Sequence, residues 1–465
     1  MLLGDVLAAE APPVEITGLA YDDRRVEEGT LFFCVRGFTR DGHDFAPDAI
    51  ARGAAALVVD HPLGLGVPEV VVDDVRAAMA PAAARFYGDP TMALRMVGVT
   101  GTNGKTTTCF LIRELLLAAG IQAGLLGTVT SFVGGEERPT VRTTPEAIDL
   151  QCTFAEMRRG GDAACAMEVS SHALALGRAD AIHWDVAVFT NLSQDHLDFH
   201  PSMEDYFAAK RRLFEAAPGA VKVVNVDDPW GRRLAADFPD AIAYSLGDVA
   251  DLEVDFTGSR FTFDGVRLAT PHPGAFNVLN ALAAIHAARA LGVGDDVVAA
   301  TLPRAGRVPG RFEPVDEGQD FAVIVDYSHT PDALDNVLRA ARELAEERVV
   351  CVFGCGGDRD RDKRPRMGRI AAELADVAIV TSDNPRSEDP MAIIREITAA
   401  MDDAVVEPDR RVAIREAVAG ARAGDVVVIA GKGHEQGQEF AGGRKEPFDD
   451  VAVAREELRR ARVDA

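Results

Sequence analysis

The chain has 465 residues, which corresponds to about three domains at roughly 150 residues each. Hydrophobic residues make up 47% and charged residues 26% of the sequence, which excludes a disordered or collagen-like chain. The formal net charge of −25 disfavours general nucleic-acid binding, because such proteins carry a basic surface. The sequence has no apolar run long enough for a membrane helix and no secretory start, and its six irregularly spaced cysteines predict a reduced, cytoplasmic protein.

Three regions are predicted in chain order. Residues 1–90 contain short apolar runs at 31–35 and 55–59 around a helical pattern at 46–52, which predicts a small α/β domain. From 91 to 310, strand-like runs and helical patterns alternate more regularly, which predicts a central domain with a parallel sheet. A Pro- and Gly-rich stretch at 302–318 precedes the third domain, 311–465.

The third region has the most regular alternation of strand and helix patterns. Strands are predicted at 321–326, 348–353, 377–381 and 425–430, with helices at 331–345, 364–375, 391–402 and 410–420 between them. This alternation predicts a Rossmann-like parallel sheet with right-handed crossovers. Ligands of such sheets bind at the carboxyl ends of the strands, so the informative residues should follow the strands.

A glycine-rich segment, GVTGTNGKTT at residues 98–107, follows a predicted strand at 94–99 and opens a predicted helix at 105–119. Backbone N–H groups at a helix N-terminus bind phosphate oxygens, Lys105 can neutralise the β- and γ-phosphates, and Thr106 can ligate Mg²⁺. The strict P-loop pattern requires a glycine where Val99 stands. The alternative is a glycine-rich turn that binds nothing. The predicted nucleotide-binding residues are Gly101, Thr102, Asn103, Gly104, Lys105, Thr106 and Thr107.

The segment TGTNGKT resembles the Mur ligase and folylpolyglutamate synthase superfamily, whose members use ATP to join an amine to a carboxylate. DYSHTPDAL at 326–334, GCGGDRD at 354–360, DNPR at 383–386 and GKGHE at 431–435 extend the resemblance over nearly the whole chain. These motifs look like the family member that adds the third amino acid in peptidoglycan synthesis. The resemblance implies a cytoplasmic, ATP-dependent, ADP-forming ligase that acts as a monomer. It would join meso-diaminopimelate to UDP-N-acetylmuramoyl-L-alanyl-D-glutamate, with Mg²⁺ as cofactor.

The resemblance also implies roles for residues whose sequence context is ambiguous. Glu168 and Thr106 would hold a first Mg²⁺ and His196 a second, and Lys210 would be carbamylated to support that second ion. From sequence alone, Glu168 could be a surface or capping group, His196 part of a surface ion pair, and Lys210 a solvated lysine. Lys105, Lys210 and His196 are the implied catalytic residues. Asn277, Arg311 and Asp326 resemble further ATP contacts, although Asn277 could be a helix cap and Asp326 a turn residue.

Contacts to the UDP-linked dipeptide are implied for Asp23, Thr143, Thr144, Ser170 and Arg178. Two positions depart from the family pattern: Asp23 stands where serine is usual, and Leu176 stands where many relatives have glutamine. Thr143-Thr144-Pro145 could instead be a helix cap followed by a first-turn proline.

Residues at the ends of successive strands of the third region form the implied amino-acid pocket: Arg359, Asp383, Asn384, Pro385, Arg386, Gly431 and Glu435. An amino-acid pocket requires cations for carboxylates and a carboxylate for an amine, and these residues supply both. Arg386 suits the second carboxylate of diaminopimelate, unless it only braces its loop through Glu388 or Asp389. The alternatives are a lysine-adding homologue, a folylpolyglutamate synthase-like ligase, and a nucleotide-binding regulator without ligase activity.

Overall fold

The computed structural model describes residues 1–464, which form five β-sheets and the helices that flank them. Most strand pairs in the larger sheets are parallel, which confirms the predicted α/β class. Two compact units interleave along the sequence. The first contains Met1–Thr100, Ala119–Val188 and Ala209–Lys222, and the second Gly101–Ala118, Phe189–Ala208 and Val223–Ala465. The domain ranges 1–90, 91–310 and 311–465 stay a prediction.

The N-terminal sheet has four parallel strands in chain order: Gly18–Ala20, Thr30–Phe33, Ala54–Val59 and Glu69–Val71. Side chains alternate across a strand, and Thr30–Phe33 is buried on both faces. Leu31 and Phe33 pack in one cluster with the helix Val75–Phe86, and Phe32 packs in a second cluster on the other face. The doubly covered apolar run explains why the sequence shows no polar alternation there.

The largest sheet has eight strands, in the order Ile242–Tyr244, Val221–Asn225, Val186–Phe189, Arg95–Thr100, Ala164–Glu168, Ala123–Leu126, Thr130–Val133 and Glu136–Pro139. Ala164–Glu168 pairs in parallel with the strands on both of its sides. The last two strands form an antiparallel hairpin that the sequence analysis did not predict. Gly134 and Gly135 both have positive φ in its turn, where the absence of a Cβ removes the usual penalty.

The C-terminal sheet has six strands, in the order Glu313–Pro314, Ala322–Asp326, Val426–Ala430, Val349–Phe353, Val377–Val380 and Val405–Val406. The pairs among the four central strands are parallel. One apolar cluster covers each face, and the strand Val426–Ala430 is buried throughout. The predicted strands agree with the structure to within a residue, whereas the helix predicted at 391–402 ends at Thr398.

Two smaller sheets are antiparallel and were not predicted: Val249–Asp255, Gly258–Phe263 and Val266–Thr270 form one, and Gly437–Phe440 and Arg444–Pro447 the other. The α-helices are Leu3–Leu7, Ala46–Ala51, Val75–Phe86, Lys105–Ala118, Ala147–Arg159, Ser171–Ala175, Met203–Glu215, Pro229–Asp237, Ala275–Ala290, Asp295–Thr301, Pro331–Leu344, Lys363–Leu374, Pro390–Thr398, Arg410–Gly420 and Asp450–Asp464. Short 3-10 helices lie at Asp23–Arg25, Gly42–Phe45, Pro90–Ala93, Leu246–Asp248, Leu302–Arg304 and Ala441–Gly443. Within residues 1–464, the helices are all too short or too polar to cross a membrane.

Candidate functional site

In the second unit, Asn191 fixes the shape of the glycine-rich loop. Its Oδ1 accepts a hydrogen bond from the backbone N of Asn103 at 2.8 Å, and its backbone O accepts one from Thr102 N at 2.9 Å. The loop folds over Lys105, whose Nζ donates to the carbonyl oxygens of Gly101 and Thr102 at 3.0 and 2.9 Å. The loop and the N-terminus of the helix Lys105–Ala118 therefore have the shape of an anion site.

Gly104 cannot carry a side chain in this loop. Its φ is +84°, and a Cβ there would lie 2.2 Å from Oδ1 of Asn280. The Asn280 amide in turn donates to Oδ1 of Asn277 at 3.1 Å, and Nδ2 of Asn277 donates to the carbonyl oxygen of Pro273 at 2.8 Å. The helix Ala275–Ala290 begins after Gly274, so Asn277 lies in its first turn and is not its cap. The structure thus links Asn277 to the glycine-rich loop through Asn280.

Arg311 and Asp326 also lie near this loop. Nη2 of Arg311 donates to Oγ1 of Thr106 at 3.0 Å, and its guanidinium stacks over the ring of Tyr327, 4.5 Å from the centroid. Asp326 ends its strand and is buried, so it is not a turn residue. Burial raises the pKa of its carboxyl group, against hydrogen bonds from Ser328 and Phe312 N and the charge of Arg311. The predicted ATP contacts of the second unit thus converge on the loop.

His196 belongs to a charged cluster around the buried Asp195. The Asp195 carboxylate lies 3.4 Å from Nε2 of His196 and 3.9 Å from Nε2 of His329. Burial raises the pKa of Asp195, but the charges of His196, His329 and Lys363 outweigh it and lower the pKa to about 2. Asp195 is therefore an anion at neutral pH, and the partly exposed His196 is paired with it, as the ion-pair interpretation also predicted.

In the first unit, Glu168 is a buried carboxylate at the end of its strand. Its Oε1 accepts from the backbone N of Thr128 at 2.7 Å, and its Oε2 accepts from the Thr128 hydroxyl at 3.0 Å. The relative exposure of Glu168 is 1%, so it is neither a surface group nor a helix cap. A buried, oriented carboxylate is the donor type that Mg²⁺ prefers.

Four of the five residues predicted to contact the UDP-linked dipeptide, all except Asp23, come together beside Glu168. The Thr143 hydroxyl lies 3.0 Å from that of Thr128, and the Thr144 hydroxyl donates to the Glu168 carbonyl and accepts from Ser170 N. Nη1 of Arg178 donates to the carbonyl of Thr144 at 3.4 Å. The following helix begins after Glu146, so Thr144 does not cap it.

Two features of this group were not expected. Glu146 is a buried carboxylate with Arg178, Arg76 and Arg142 around it at 2.9, 2.9 and 3.2 Å, which leaves a local excess of positive charge for an anionic ligand. Asp23, the residue that replaces serine, instead faces Arg52 at 3.6 Å.

Lys210 is buried, with a relative exposure of 1%, so the interpretation as a solvated lysine is wrong. It lies in the helix Met203–Glu215. The helical pattern did predict the start of this helix, where Ser202 Oγ accepts from the backbone N of Asp205 at 3.1 Å. A buried ammonium is costly unless it is paired or chemically changed. Lys210 shares this burial with Lys363 and Lys432, so burial by itself does not distinguish the three lysines.

In the second unit, residues predicted for the amino-acid pocket lie close together after two strands of the C-terminal sheet, with the strand Val349–Phe353 between these strands. Gly431 follows Val426–Ala430, and Asp383 follows the strand Val377–Val380. A Cβ at Gly431, whose φ is +119°, would lie 3.1 Å from the Asp383 carboxylate. Nδ2 of Asn384 donates to Oε2 of Glu435 at 2.7 Å, and the Pro385 carbonyl accepts from Glu388 N.

Lys432, which the sequence analysis did not single out, holds this group together. Its Nζ is fully buried and donates to Oδ1 of Asn384 at 3.0 Å and Oε2 of Glu435 at 2.9 Å, and it lies 3.6 Å from Oδ1 of Asp383. Two carboxylates therefore share one ammonium. The excess negative charge favours the binding of a second cation, such as the amine of an amino acid.

Arg386 faces Glu439, not Glu388 or Asp389. Its Nε lies 3.0 Å from Oε2 of Glu439, its Nη1 donates to the carbonyl of Gly357 at 2.8 Å, and its φ is +50°. Glu388 is instead paired with the buried guanidinium of Arg364 at 2.8 Å. Arg359 is exposed and donates to its neighbour's carbonyl, with its Cγ about 4.0 Å from a Cβ built at Gly356.

Three models of protein domains match the chain: "Mur ligase family, catalytic domain" at residues 15–87, "Mur ligase middle domain" at 99–288, and "Mur ligase, glutamate ligase domain" at 310–433. The UDP-N-acetylmuramoyl-L-alanyl-D-glutamate–2,6-diaminopimelate ligase of Geobacillus kaustophilus (strain HTA426) is 48% identical, over 95% of this chain and 94% of the relative. The ligase of the same name from Streptomyces coelicolor is 46% identical, over 98% of this chain and 96% of the relative.

The chain is also similar to solved structures. A diaminopimelate ligase of that name is 34% identical, with a TM-score of 0.70 and coverage of 99% of both chains. The folylpolyglutamate synthase of Mycobacterium tuberculosis is 19% identical, with a TM-score of 0.63, and covers 82% of this chain and 94% of its own. At that identity the second likeness shows a common fold alone.

Proposed function

The chain belongs to the Mur ligase family, and on this premise we propose that it adds meso-2,6-diaminopimelate to UDP-N-acetylmuramoyl-L-alanyl-D-glutamate, with hydrolysis of ATP to ADP and phosphate. The observation that carries this proposal is the pocket of Asp383, Asn384, Arg386 and Glu435 in a chain that also has a glycine-rich loop over Lys105. Relatives named for this activity match over nearly their full length.

In the first step, the D-glutamyl carboxylate attacks the γ-phosphorus of ATP, the bond to the bridging oxygen breaks, and ADP leaves. Charge develops on the transferring phosphoryl group, and the Lys105 ammonium is the group that disperses it. The backbone N–H groups of residues 101–107 hold the phosphates, and Asn277, Arg311 and Asp326 position the nucleotide. Arg311 donates a hydrogen bond to Thr106, so its guanidinium lies next to the proposed phosphate site.

Mg²⁺ fits the donors assigned to it. Thr106 offers a hydroxyl and Glu168 a buried carboxylate, both hard oxygen ligands, and His196 and a carbamylated Lys210 would serve a second ion. When bound, Mg²⁺ neutralises phosphate charge. Carbamylation replaces the cation of Lys210 with an anion, which removes the conflict between a buried ammonium and a neighbouring metal.

In the second step, the amine of diaminopimelate attacks the acyl phosphate, and phosphate leaves from the tetrahedral intermediate. Lys432 holds Asn384 and Glu435 in place, and the surplus carboxylate of Asp383 and Glu435 faces an ammonium of the amino acid. The three arginines around the buried Glu146 support binding of the UDP-linked dipeptide through Thr143, Thr144, Ser170 and Arg178. The cytoplasmic location and the monomeric state belong to the same proposal.

The choice of amino acid depends on Arg386. Meso-diaminopimelate and L-lysine differ by one carboxylate, and a guanidinium forms a bidentate pair with such a group. Arg386 uses Nε and Nη1 within the protein, and its Nη2 is the group left to meet a ligand. Lysine would leave Nη2 without a charged hydrogen-bond partner, whereas Nε would keep its pair with Glu439, so we expect a cost of about 1.5–3 kcal/mol, or roughly 10- to 150-fold in kcat/KM.

The ligase activity is tested by phosphate release. We expect release only when ATP, the UDP-linked dipeptide and diaminopimelate are all present, and we expect Lys105→Ala to abolish it. Lys445→Ala, at an exposed position of the hairpin Arg444–Pro447, is the matched control and should retain activity. Phosphate release without the amino acid would contradict the ligase assignment, as would near-normal turnover of Lys105→Ala at saturating ATP.

The specificity is tested separately, by kcat/KM for diaminopimelate and for lysine. Arg386→Ala should lose the preference for diaminopimelate, and Arg339→Ala, which removes an exposed arginine paired with Asp335, should retain it. Equal use of both amino acids by the wild type would contradict the role of Arg386. It would not contradict the proposed ligase activity.

A further inference from the structure

Three potential metal ligands meet at the carboxyl edge of the N-terminal sheet, the edge at which Asp23 follows the strand Gly18–Ala20. Asp60 and His61 directly follow the strand Ala54–Val59, and His43 lies in a short 3-10 helix, Gly42–Phe45, that follows the neighbouring strand Thr30–Phe33. The ligand atoms of the three side chains all lie within 4.8 Å of one another. The position after two adjacent parallel strands is where ligands of such sheets bind.

The atoms that face one another are two imidazole nitrogens and one carboxylate oxygen. Oδ1 of Asp60 lies 3.2 Å from Nε2 of His43 and forms a short contact with Nδ1 of His61. The two imidazole rings stack with centroids 4.8 Å apart. His43 is buried whereas the His61 side chain is half-exposed, so His61 can turn to adjust the geometry.

Two further residues orient these ligands. Oδ1 of Asp41 lies 2.6 Å from Nδ1 of His43 and orients the ring, and Nε2 of His43 accepts a hydrogen bond from the backbone N of Asp60 at 3.3 Å. Arg36 holds the Asp60 carboxylate, with its Nε 2.9 Å from Oδ2 and its Nη2 donating to Oδ1 at 3.4 Å. A metal ion bound to Nε2 and Oδ1 would replace these two longer hydrogen bonds. A carboxylate on the far nitrogen of a histidine is the usual outer partner of a metal ligand.

We propose that His43, Asp60 and His61 bind a divalent transition-metal ion of borderline softness, represented by Zn²⁺, through Nε2, Oδ1 and Nδ1. Two imidazoles and one carboxylate form a donor set suited to such an ion and not to Mg²⁺, which prefers oxygen. Three protein ligands leave a fourth position for water. The proposal does not rest on the proposed ligase activity.

The site would also stiffen a loop. Arg36 and Asp41 form a β-bridge that closes residues 37–40, and Arg36 lies within ion-pair distance of both Asp41 and Asp60. Phe38, at the tip, is 80% exposed. An ion bound to His43 and Asp60 would restrict the side chains that contact Asp41 and Arg36, the two residues at the ends of this loop. We therefore expect the backbone amides of the loop to become better protected from hydrogen exchange when Zn²⁺ is added.

The experiment is a titration of the full chain with Zn²⁺, in a buffer that contains excess Mg²⁺ to occupy oxygen-rich sites. Binding is measured by calorimetry and by hydrogen exchange of residues 36–44. We expect one equivalent of Zn²⁺ to bind, one ion per chain, and we expect that Mg²⁺ does not displace it. His61→Gln should lose it, Asp41→Asn should weaken it by about 10- to 100-fold, and the exposed control His183→Gln should retain it.

Because His61 is half-exposed, His61→Gln should fold, and its melting temperature without metal should match that of the wild type. Absence of the equivalent in the wild type would overturn the proposal. So would its retention in His61→Gln, or its loss in His183→Gln. Addition of Co²⁺ in place of Zn²⁺ gives a second readout, because tetrahedral coordination by nitrogen and oxygen produces visible absorption that His61→Gln should lack.

Discussion

Lys210 is buried in the helix Met203–Glu215, with a relative exposure of 1%. Carbamylation of a lysine consumes its neutral amine and CO₂ and replaces a cation with an anion. The proposed modification would therefore place a negative charge at a buried position, where it can support the second Mg²⁺ of the proposed function.

We predict that ¹³C-labelled bicarbonate gives a carbamate signal in the NMR spectrum of the wild type and none in Lys210→Ala. The variant should lose on the order of 100-fold in kcat, because one positioned charge is missing, and added small carboxylates should restore part of it. A fully active wild type with an unmodified Lys210 amine would contradict this role.

His272 is a second buried residue with an unusual environment. Both of its ring nitrogens are buried without a hydrogen-bond partner among residues 1–464. Burial, helped by the charge of Arg307, lowers the pKa of His272 to about 4 from its usual 6.5. Between these values the unfolded chain binds a proton that the folded chain does not, so stability falls as the pH drops from about 6.5 towards 4.

We predict that His272→Leu removes this part of the acid sensitivity. Between pH 7 and pH 4, the unfolding free energy of the wild type should fall by about 2–3 kcal/mol more than that of the variant. Thermal melting of both proteins across this range measures it, and the exposed His183→Gln should follow the wild type. Parallel pH profiles for His272→Leu and the wild type would show that the imidazole titrates normally.

Individual residues were predictable where a local motif carries the chemistry. The segment 101–107 has its glycines, lysine and threonines in the order that a phosphate site needs, so spacing alone pointed to it. Lys432 and Glu439 were not singled out, because their roles depend on Asn384 and Arg386, about fifty residues earlier in the chain. Only the pairing of distant strands brings such partners together.

At the scale of elements, the glycine-rich loop acts as a rigid piece between strand and helix. Asn191 fixes its backbone from one side and Asn280 packs against Gly104. We predict that Gly104→Ala reduces ATP binding by at least about 100-fold, because the new Cβ at 2.2 Å from Asn280 must displace either the loop or the helix Ala275–Ala290.

The control is Gly120→Ala. Gly120 has a φ of +77°, similar to Gly104, but a Cβ there meets nothing within 4 Å. Both variants carry the strain of a positive φ, about 1 kcal/mol, and only Gly104→Ala has the steric clash. Calorimetry with ATP should therefore separate them, and equal affinity in the two variants would mean that the loop shape does not govern binding.

Elements were predictable where burial imposes a simple pattern. The valine-rich strands of the C-terminal sheet are buried on both faces, and each stands out as a short apolar run. The antiparallel strand Val249–Asp255 has no buried residue and contains three acids, so neither alternation nor an apolar run marks it. Its pairing with Gly258–Phe263 is what makes it a strand.

For the whole molecule, the dominant electrostatic feature is the net charge of −25. The 49 arginines and lysines can neutralise at most 49 of the 74 carboxylate charges, which leaves a surplus of 25 negative charges at neutral pH. Exposed ion pairs contribute at most about 1 kcal/mol each and are weakened by salt, whereas the buried Arg410–Asp450 pair is little screened. Self-repulsion among the surplus acids acts over longer distances and is screened as well.

We therefore predict that repulsion outweighs the exposed pairs and that moderate salt stabilises the protein. The melting temperature at pH 7.5 should rise by a few degrees between about 10 and 150 mM NaCl, as the Debye length falls from about 30 to 8 Å. At pH 5, close to the isoelectric point of about 4.8, the net charge is small and the rise should nearly vanish. The control is the same titration with sucrose, which does not screen charge. Salt weakens attraction and repulsion alike, so the larger of the two determines whether the melting temperature rises or falls. A melting temperature that falls with salt at pH 7.5 would therefore show that the attractive ion pairs dominate.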